Sequence, residues 1–456
     1  MSRMFGTDGV RGVANVNNMT AEMVLEIGRA TAHVCKTQRH VSKDTRRRIV
    51  IGKDTRASGY MLENALSAGI CSMGVDVFLL GPLPTPGIAF TTMSMRADAG
   101  LVLSASHNPF EDNGIKIFGG DGFKLRDEME DEIEEIISTG RIREIRPTSN
   151  DVGRAKRIED AIGRYIVFCK NTFPNEFSLE GLRVVLDCAN GATYKVAPII
   201  FQELGAEVFP IHNHPDGTNI NEKCGSQHTE DLVDKVKETR ADIGLAFDGD
   251  GDRLIAVDEK GVELTGDHII AILAERMKKE GRLKNNKVVT TVMSNFGFVK
   301  AMEKLDIEQD QAQVGDRYVL QRMMETDSVL GGEASGHLIC REYHTTGDGI
   351  IAALQLLRVM CAEKKPLSEL SKVMELFPQK LINVNVSDKP PLEEVKSIQQ
   401  AIHHAEQTLG DQGRVLVRYS GTQSMCRVMV EGPTTAMTDS LANDVARTVS
   451  QSLGGI

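Results

Sequence analysis

Three short polar strings in this chain of 456 residues concentrate the residue types that phosphoryl chemistry uses. In AGLVLSASHNPFEDNGIKIF, residues 99–118, the apolar run Leu101 to Leu103 predicts a buried strand, and Pro109 forces the backbone out of regular structure soon after it. Ser104, Ser106 and His107 then fall on a loop at that strand's carboxyl end, the usual ligand crevice of open α/β sheets. The Ser106 hydroxyl can serve there as a covalent nucleophile. A turn whose Ser and Asn only satisfy backbone groups is the plainer alternative. His107, next to Ser106 on an extended backbone, is expected to point elsewhere and to play a supporting part. Lys116 follows the turn-like pair Asn113-Gly114 and could fold back to a phosphate or shuttle a proton; an ordinary surface lysine is its alternative.

The second string is FDGDGDR, residues 247–253. Alternation on an extended loop would turn Asp248, Asp250 and Asp252 to one side. Three crowded carboxylates need a cation, and hard oxygen ligands suit Mg²⁺, with an oxygen on Ser106 as a further ligand. Glu259 sits at the twelfth place of a calcium-loop count, but Arg253 stands where that loop needs Gly, so the EF-hand reading fails. Arg253 offers a bidentate donor to a phosphate beside the ion. In the third string, GGEASGH at 331–337, glycines flank Glu333, Ser335 and His337, a set suited to gripping sugar hydroxyls. Two further clusters point to anions. FGTDGVRG at 5–12 gathers glycines around Arg11 in a turn, and RYSGTQSMCR at 418–427 combines Arg418, Ser420, Gly421, Thr422 and Arg427 into a phosphate cradle remote from the metal.

These strings must be held by a repeated strand and helix grammar. Strands are expected at Ile49 to Gly52, Val75 to Leu80 and Leu101 to Leu103, separated by helices, and the pattern restarts at Arg183 and again at Lys287. A strand is also expected at Gln313 and Val314. Thr20 should cap the helix that follows it. The fold expected is α/β: three similar mixed α/β sheet domains followed by a smaller α+β C-terminal domain. The boundaries are 1–150 for the serine domain, 151–259 for the metal-binding domain, 260–368 for the sugar-recognition domain and 369–456 for a phosphate-binding lid.

A net charge of −11 argues against a general nucleic-acid or acidic-membrane surface, while a local pocket can still take an anion. The eight cysteines form no CxxC pair and read as reduced, buried thiols. His212, His214 and His228, in a long polar loop, match no ordinary zinc spacing and are not read as a metal site. With no apolar leader and no run of membrane-spanning length, the expected location is the cytoplasm.

In this order, FGTDGVRG, SASHNP with NGIK, FDGDGDR, GGExSGH and RxSGT strongly resemble the α-D-phosphohexomutase superfamily over essentially the whole chain, and PDGTNIN and GDRYV resemble its glucosamine branch. The resemblance implies four domains around a central cleft and a phosphoserine at Ser106. It implies Mg²⁺ on Ser106, Asp248, Asp250 and Asp252, with sugar contacts from Glu333 and Ser335. A nonreacting phosphate would be held by Arg418, Ser420, Gly421 and Thr422. The implied reaction is reversible isomerisation of glucosamine 6-phosphate and glucosamine 1-phosphate through glucosamine 1,6-bisphosphate, supplying precursor for UDP-N-acetylglucosamine. That bisphosphate, or another hexose 1,6-bisphosphate, would prime the serine, or an activating kinase would. The partner is a small sugar phosphate, with neither nucleic acid nor membrane, and a homodimer stays open. Ala334 departs from the branch's usual Gln and Gln423 from its usual Glu. Phosphoglucomutase or phosphomannomutase activity, a phosphoserine-forming sugar phosphatase and a noncatalytic sugar-phosphate binder remain alternatives.

Overall fold

The computed structural model describes residues 3–6, 8–38, 46–145, 147–420 and 424–454. Four sheets are found among them. The first contains β1 (Val10–Val13), β2 (Arg48–Lys53), β3 (Asp76–Pro82), β4 (Ala99–Leu103), β5 (Asp112–Gly119) and β6 (Ala155–Arg157), in the order β1-β5-β4-β2-β3-β6. The second contains β7 (Arg183–Asp187), β8 (Glu207–Ile211), β9 (Ile243–Phe247), β10 (Leu254–Asp258) and β11 (Glu263–Leu264), in the order β11-β10-β9-β7-β8. The third contains β12 (Lys287–Thr291), β13 (Glu308–Ala312), β14 (Leu330–Gly332) and β15 (Leu338–Cys340), in the order β13-β12-β14-β15.

One topology recurs in all three. A central strand (β2, β7, β12) is flanked by two parallel strands, and the last of these (β4, β9, β14) turns back into an antiparallel neighbour (β5, β10, β15). Parallel neighbours need helical crossovers, and the helices cover apolar strands such as Ile49, Ile51, Leu101 and Leu103. Helices Ala21–Gln38 and Ser58–Ser72 lie against that face through Val24, Ile27, Leu62 and Leu66. Thr20 caps the first of them, its hydroxyl accepting the Met23 N–H at 3.4 Å.

The three sheets form one compact unit, residues 1–293 with 307–372. The other unit, 294–306 with 373–456, carries a fourth sheet of β16 (Gln379–Asn385), β17 (Arg414–Tyr419) and β18 (Met425–Glu431), antiparallel throughout in the order β16-β18-β17. Helices Lys396–Leu409 and Thr435–Leu453 cover it through Ile398, Ala405, Leu441 and Val445. Helix Phe296–Lys304 belongs to this unit because Asn295, its cap, bonds Phe377 and the buried Glu431. The expected architecture of three like α/β sheets and a smaller α+β unit is thus observed.

Two local expectations are corrected. Asn113-Gly114 is not a turn: strand β5 runs straight through it, hydrogen-bonded to β1 on one side and β4 on the other. In the Gly-rich FGTDGVRG string the Gly6 N–H meets the Gly9 carbonyl at 2.9 Å, as a turn there requires, and Arg11 follows on the edge strand β1. Gln313 and Val314 lie beyond the strand expected there; β13 ends at Ala312, and its sequence EQDQA is too polar for an apolar pattern to mark. No helix among the described residues is long and apolar enough to cross a membrane.

Candidate active site

The Ser106 loop joins β4 to β5 and is held from beneath. Ser104 Oγ donates to Asp54 Oδ2 at 2.6 Å and accepts the Ser106 N–H at 2.9 Å. Asp54 in turn accepts from Arg56 Nε at 2.8 Å. The Arg56 guanidinium is fully buried and donates to the carbonyls of Ser106 (3.1 Å), Asn108 (2.7 Å), Asp112 (2.9 Å) and Pro109. Asn221, from the second sheet's long loop, donates to the Ser106 and Asn108 carbonyls, both at 2.9 Å. So fixed, Ser106 adopts φ +53°, a left-handed conformation that non-glycine residues rarely occupy away from functional loops. The bend has a consequence for His107. Its Nδ1 comes within 3.3 Å of Ser106 Oγ, contrary to the expectation from an extended backbone. Burial, with Arg253 and Arg11 nearby, pushes the His107 imidazole down to about 4, so it is a neutral acceptor near neutral pH.

The aspartate loop joins β9 to β10, the same place in the second sheet. One carboxylate oxygen from each of Asp248, Asp250 and Asp252 lies within 4.8 Å of the others. Gly249 permits this approach, because a Cβ there would stand 2.6 Å from the Ser106 carbonyl. Gly251 supplies the positive φ of +73° that closes the turn. Ser106 Oγ donates to Asp248 Oδ2 at 2.5 Å, and Thr85 Oγ1 to Asp250 Oδ2 at 2.6 Å. Lys116, on β5 and almost wholly buried, puts Nζ 2.9 Å from Asp250 Oδ2, 3.2 Å from Asp252 Oδ2 and 3.3 Å from Asp8 Oδ2.

Charge is tightly balanced here. Burial and the neighbouring Asp252 and Asp250 push the Asp248 carboxyl well above the usual range. Burial acts the same way on Asp250, but Lys116 and Thr85 outweigh it and hold that carboxyl low. Burial disfavours the Lys116 ammonium, yet Asp250, Asp252 and Asp8 keep it protonated. The Oδ1 atoms of Asp250 and Asp252 are buried without hydrogen-bond partners. Buried carboxylate oxygens with no donor are costly, and a divalent cation among them would satisfy both. The donor set therefore fits Mg²⁺.

The sugar loop joins β14 to β15, again the equivalent place. Glu333 Oε1 accepts the Gly315 N–H at 2.9 Å, and Ser335 Oγ is buried without a partner. His337 is buried, with Nε2 3.6 Å from Asp316 Oδ2 and 4.0 Å from Asp252 Oδ2. A backbone bridge between Arg253 and His337 ties this loop to the aspartate loop. A cavity of about 490 Å³ opens over Ser106, lined among others by Arg11, His107, Asp252, Arg253, Asp316, Glu333 and His337.

Several residues at this centre carry no role that the sequence alone assigns. Asp8 pairs with Arg11 and with Lys124 (2.6 Å), and Lys124 also reaches Asp316 (2.5 Å). Burial works against the Asp8 carboxylate, but Lys116, Lys124 and Arg11 prevail and hold it well below the usual range. Asp8, Arg56, Asn221 and Asp316 all lie in strings that stand out in the sequence; nothing marks Lys124 or Thr85.

In the other unit, Arg418 on β17 stands directly across from Arg427 on β18. Burial, and then Arg427, lowers the Arg418 pKa. Like charges in opposed positions repel, and Arg427 Nε is buried without a partner, so an anion at this edge would relieve both costs. Ser420 is buried and its carbonyl accepts from Lys389 Nζ at 2.7 Å. Gly421, Thr422 and Gln423 lie outside the described residues.

Family models described as phosphoglucomutase/phosphomannomutase α/β/α domains I, II and III and C-terminal domain match residues 2–144, 164–261, 265–377 and 381–448 respectively. The chain belongs to the phosphoglucomutase/phosphomannomutase family, the α-D-phosphohexomutases its motifs resembled. Among its relatives are the phosphoglucosamine mutase of Syntrophus aciditrophicus, 59% identical over 454 residues, and that of Syntrophobacter fumaroxidans, 58% identical over 454 residues, each covering 100% of both chains. A solved phosphoglucomutase/phosphomannomutase family protein from Burkholderia thailandensis shares the fold, with a TM-score of 0.81 at 23% identity over 99% of this chain and 97% of that one.

Proposed function

We propose that this chain is a phosphoglucosamine mutase that interconverts glucosamine 6-phosphate and glucosamine 1-phosphate through a phosphoserine at position 106. The observation that carries this reading is the Ser106 hydroxyl, held at a left-handed bend 2.5 Å from an aspartate triad and facing a cavity. Relatives of that name align with the whole chain.

Phosphoserine 106 gives its phosphoryl group to the free hydroxyl of the bound sugar: the Oγ–P bond breaks, a P–O bond to the sugar forms, and the hydroxyl proton leaves. The resulting 1,6-bisphosphate turns end for end, and Ser106 recovers the other phosphate. That proton passes to water and the departing Oγ takes one up, because in-line transfer sets the sugar hydroxyl on the far side of phosphorus from Oγ; His107, neutral and within 3.3 Å of Oγ, suits the return step, accepting the Ser106 proton as Oγ takes the second phosphate. Lys116 is held as an ammonium, so it serves better as a charge for the transferring group, or as a proton donor, than as a base. Arg11 and Arg253 steady the same group. Asp248, Asp250 and Asp252, with an oxygen on Ser106, would hold Mg²⁺, which when bound withdraws charge from the phosphoryl oxygens. Glu333, Ser335 and His337 face the sugar hydroxyls, while Arg418, Ser420, Gly421, Thr422 and Arg427 take the phosphate that does not react. Glucosamine 1,6-bisphosphate, another hexose 1,6-bisphosphate or a kinase would load Ser106, and the working location is the cytoplasm.

Ala334 favours one second reading. Its carbonyl accepts the Gly266 N–H at 3.0 Å, but its methyl offers a sugar nothing polar. Weaker selection for the amino sugar would allow glucose or mannose 6-phosphate as substrate. The test is ³¹P NMR of the phosphoenzyme mixed with each hexose 6-phosphate and Mg²⁺. Glucosamine 1-phosphate should form fastest, and Ser106→Ala should form none while keeping its far-UV spectrum. Wild-type turnover by that variant would defeat the covalent route, and faster conversion of glucose 6-phosphate would reassign the substrate.

A further inference from the structure

The second sheet brings together a group of side chains that the mutase chemistry does not use. Asp187 ends β7, His212 follows β8, and Cys224 lies further along the same long loop; one potential ligand atom from each falls within 4.8 Å of the others. Asp187 and Cys224 are buried and His212 is half-buried. His214 and His228, its neighbours in the sequence pattern, are not in the group. The partners come instead from a strand end and from a cysteine twelve residues on, which a spacing search among histidines does not find.

The arrangement of His212 is the informative part. Its Nε2 lies 3.1 Å from Asp231 Oδ2 and its Nδ1 3.1 Å from Asp187 Oδ1, so the ring is clamped between two carboxylates. With the Nε2–H on Asp231, Nδ1 is the nitrogen turned toward Asp187. A metal ion would take the place of a proton between Nδ1 and Asp187, beside a thiol. Asp187 is itself fixed, accepting the N–H groups of Ala189 and Gly225, each at 2.9 Å, so it cannot readily turn aside. A carboxylate, an imidazole with its outer nitrogen on a second carboxylate, and a thiolate form a borderline-soft donor set, which selects Zn²⁺ over Mg²⁺ or Ca²⁺. Bonds of about 2.0–2.3 Å in a tetrahedron put ligand atoms roughly 3.3–3.8 Å apart, so shifts of about 1 Å by the His212 and Cys224 side chains toward the fixed Asp187 complete the site.

We propose that Asp187, His212 and Cys224 bind a zinc ion, with Asp231 as the positioning residue behind His212 and solvent in the fourth place. Binding releases the Cys224 thiol proton, and the proton held between His212 Nδ1 and Asp187, to water. The ion would pin the long loop of the second sheet three residues from Asn221, whose amide holds the carbonyls of Ser106 and Asn108. Its role is to order that loop, and it takes no part in phosphoryl transfer.

The test is titration of the metal-stripped full chain with Co²⁺ in excess Mg²⁺, which occupies the aspartate triad. One equivalent should produce a thiolate-to-cobalt charge-transfer band that Zn²⁺ abolishes. Cys224→Ser should lose the band, and Asp231→Asn should weaken Co²⁺ binding by ~10-fold or more. Zn²⁺ should raise the thermal midpoint of the wild type and leave Cys224→Ser unmoved. Absence of the band in wild-type protein at micromolar Co²⁺, or an undiminished band in Cys224→Ser, overturns the proposal. Should that variant fail to fold, the wild-type titration and His212→Ala decide on the same readout.

Discussion

Replacing Arg56 with Met tests whether the Ser106 loop depends on a buried arginine. The guanidinium is wholly enclosed, and it is the donor for Asp54 and for four carbonyls between residues 106 and 112. Asn221 would still serve the carbonyls of Ser106 and Asn108, and the Asp112 N–H still reaches the Pro109 carbonyl at 3.2 Å, so the acceptor that depends most on Arg56 is the Asp112 carbonyl. A buried acceptor left unsatisfied costs about 1–3 kcal/mol, and a buried carboxylate stripped of its cation about 3–5 kcal/mol. These terms overlap, and Ser104 still donates to Asp54, so the expected loss is about 4–6 kcal/mol. For a compact unit as large as 1–293 with 307–372, that lowers the thermal midpoint by about 5–8 °C. Burial already raises the Asp54 carboxyl above its ordinary value, and losing Arg56 raises it further. An acid whose folded pKa lies above its unfolded one loses stability as pH rises between the two. The deficit of Arg56→Met is therefore largest near neutral pH and shrinks as pH falls toward the ordinary carboxylate value. Below the melting range turnover should drop ~100-fold, since a displacement of about 1 Å at the reacting group has that effect. Arg56→Lys, which keeps charge without the fork, should fall between. Differential scanning calorimetry with initial-rate assays measures both; a midpoint within about 2 °C of wild type, with normal turnover, would refute this account of the loop.

Lys116→Met removes an ammonium held by Asp250 Oδ2 and Asp252 Oδ2, the same two carboxylates whose unpartnered Oδ1 atoms would take the proposed cation. Turnover should fall ~100-fold or more while Mg²⁺ binds more tightly by calorimetry, because a competing positive charge has gone; unchanged Mg²⁺ affinity would show that the two charges do not compete for these carboxylates. Burial pushes Asp348, the cap of helix Gly349–Glu363, up to about 6, although the Ile351 and Ile350 N–H groups and the Tyr165 hydroxyl oppose it. Ionising it on the folded protein therefore costs stability as pH rises from about 4 to 6, and the neutral Asp348→Asn should gain up to ~3 kcal/mol relative to wild type between pH 4 and pH 7; a pH-independent difference in midpoint would contradict this. Arg418→Ala and Arg427→Ala should each raise KM for the sugar phosphate ~10-fold or more, since a charged hydrogen bond contributes about 1.5–3 kcal/mol. Unaltered KM in both would remove the anion role from that edge.

What could be read from sequence and what could not divides along contact distance. The Ser106, aspartate and sugar loops were legible because each is a short polar string following an apolar strand, and the chemistry lies within the string itself. The strand that carries Lys116 is hidden because Asn-Gly is the commonest hairpin turn signal, while pairing of β5 with β1 and β4 overrides that local preference; Lys116 reaches the aspartates from the strand itself. An extended backbone turns His107 away from the Ser106 hydroxyl and leaves it a supporting part; the bend at Ser106, fixed by Ser104, Arg56 and Asn221, brings its ring to 3.3 Å instead. Arg56, Lys124 and Asp316 act across separations that no local pattern encodes.

The repeated topology gives the three loops proposed to carry the chemistry one structural position. In each of the three sheets that loop is the connection from the third parallel strand to its antiparallel neighbour, at β4–β5, β9–β10 and β14–β15. Such a connection leaves the carboxyl end of a strand buried on both faces, so its ends are fixed by the sheet while its middle faces the crevice. The scaffold then constrains the strands and leaves loop composition free. One copy could take a nucleophile, another an acidic triad and the third a sugar grip without disturbing the core. That freedom is why SASHNP, DGDGDR and EASGH share no sequence period although they occupy one structural position. It also separates two kinds of damage: a substitution in the strands beneath a loop should act on stability and on all three loops together, whereas one at a loop's middle should act on a single step of the reaction.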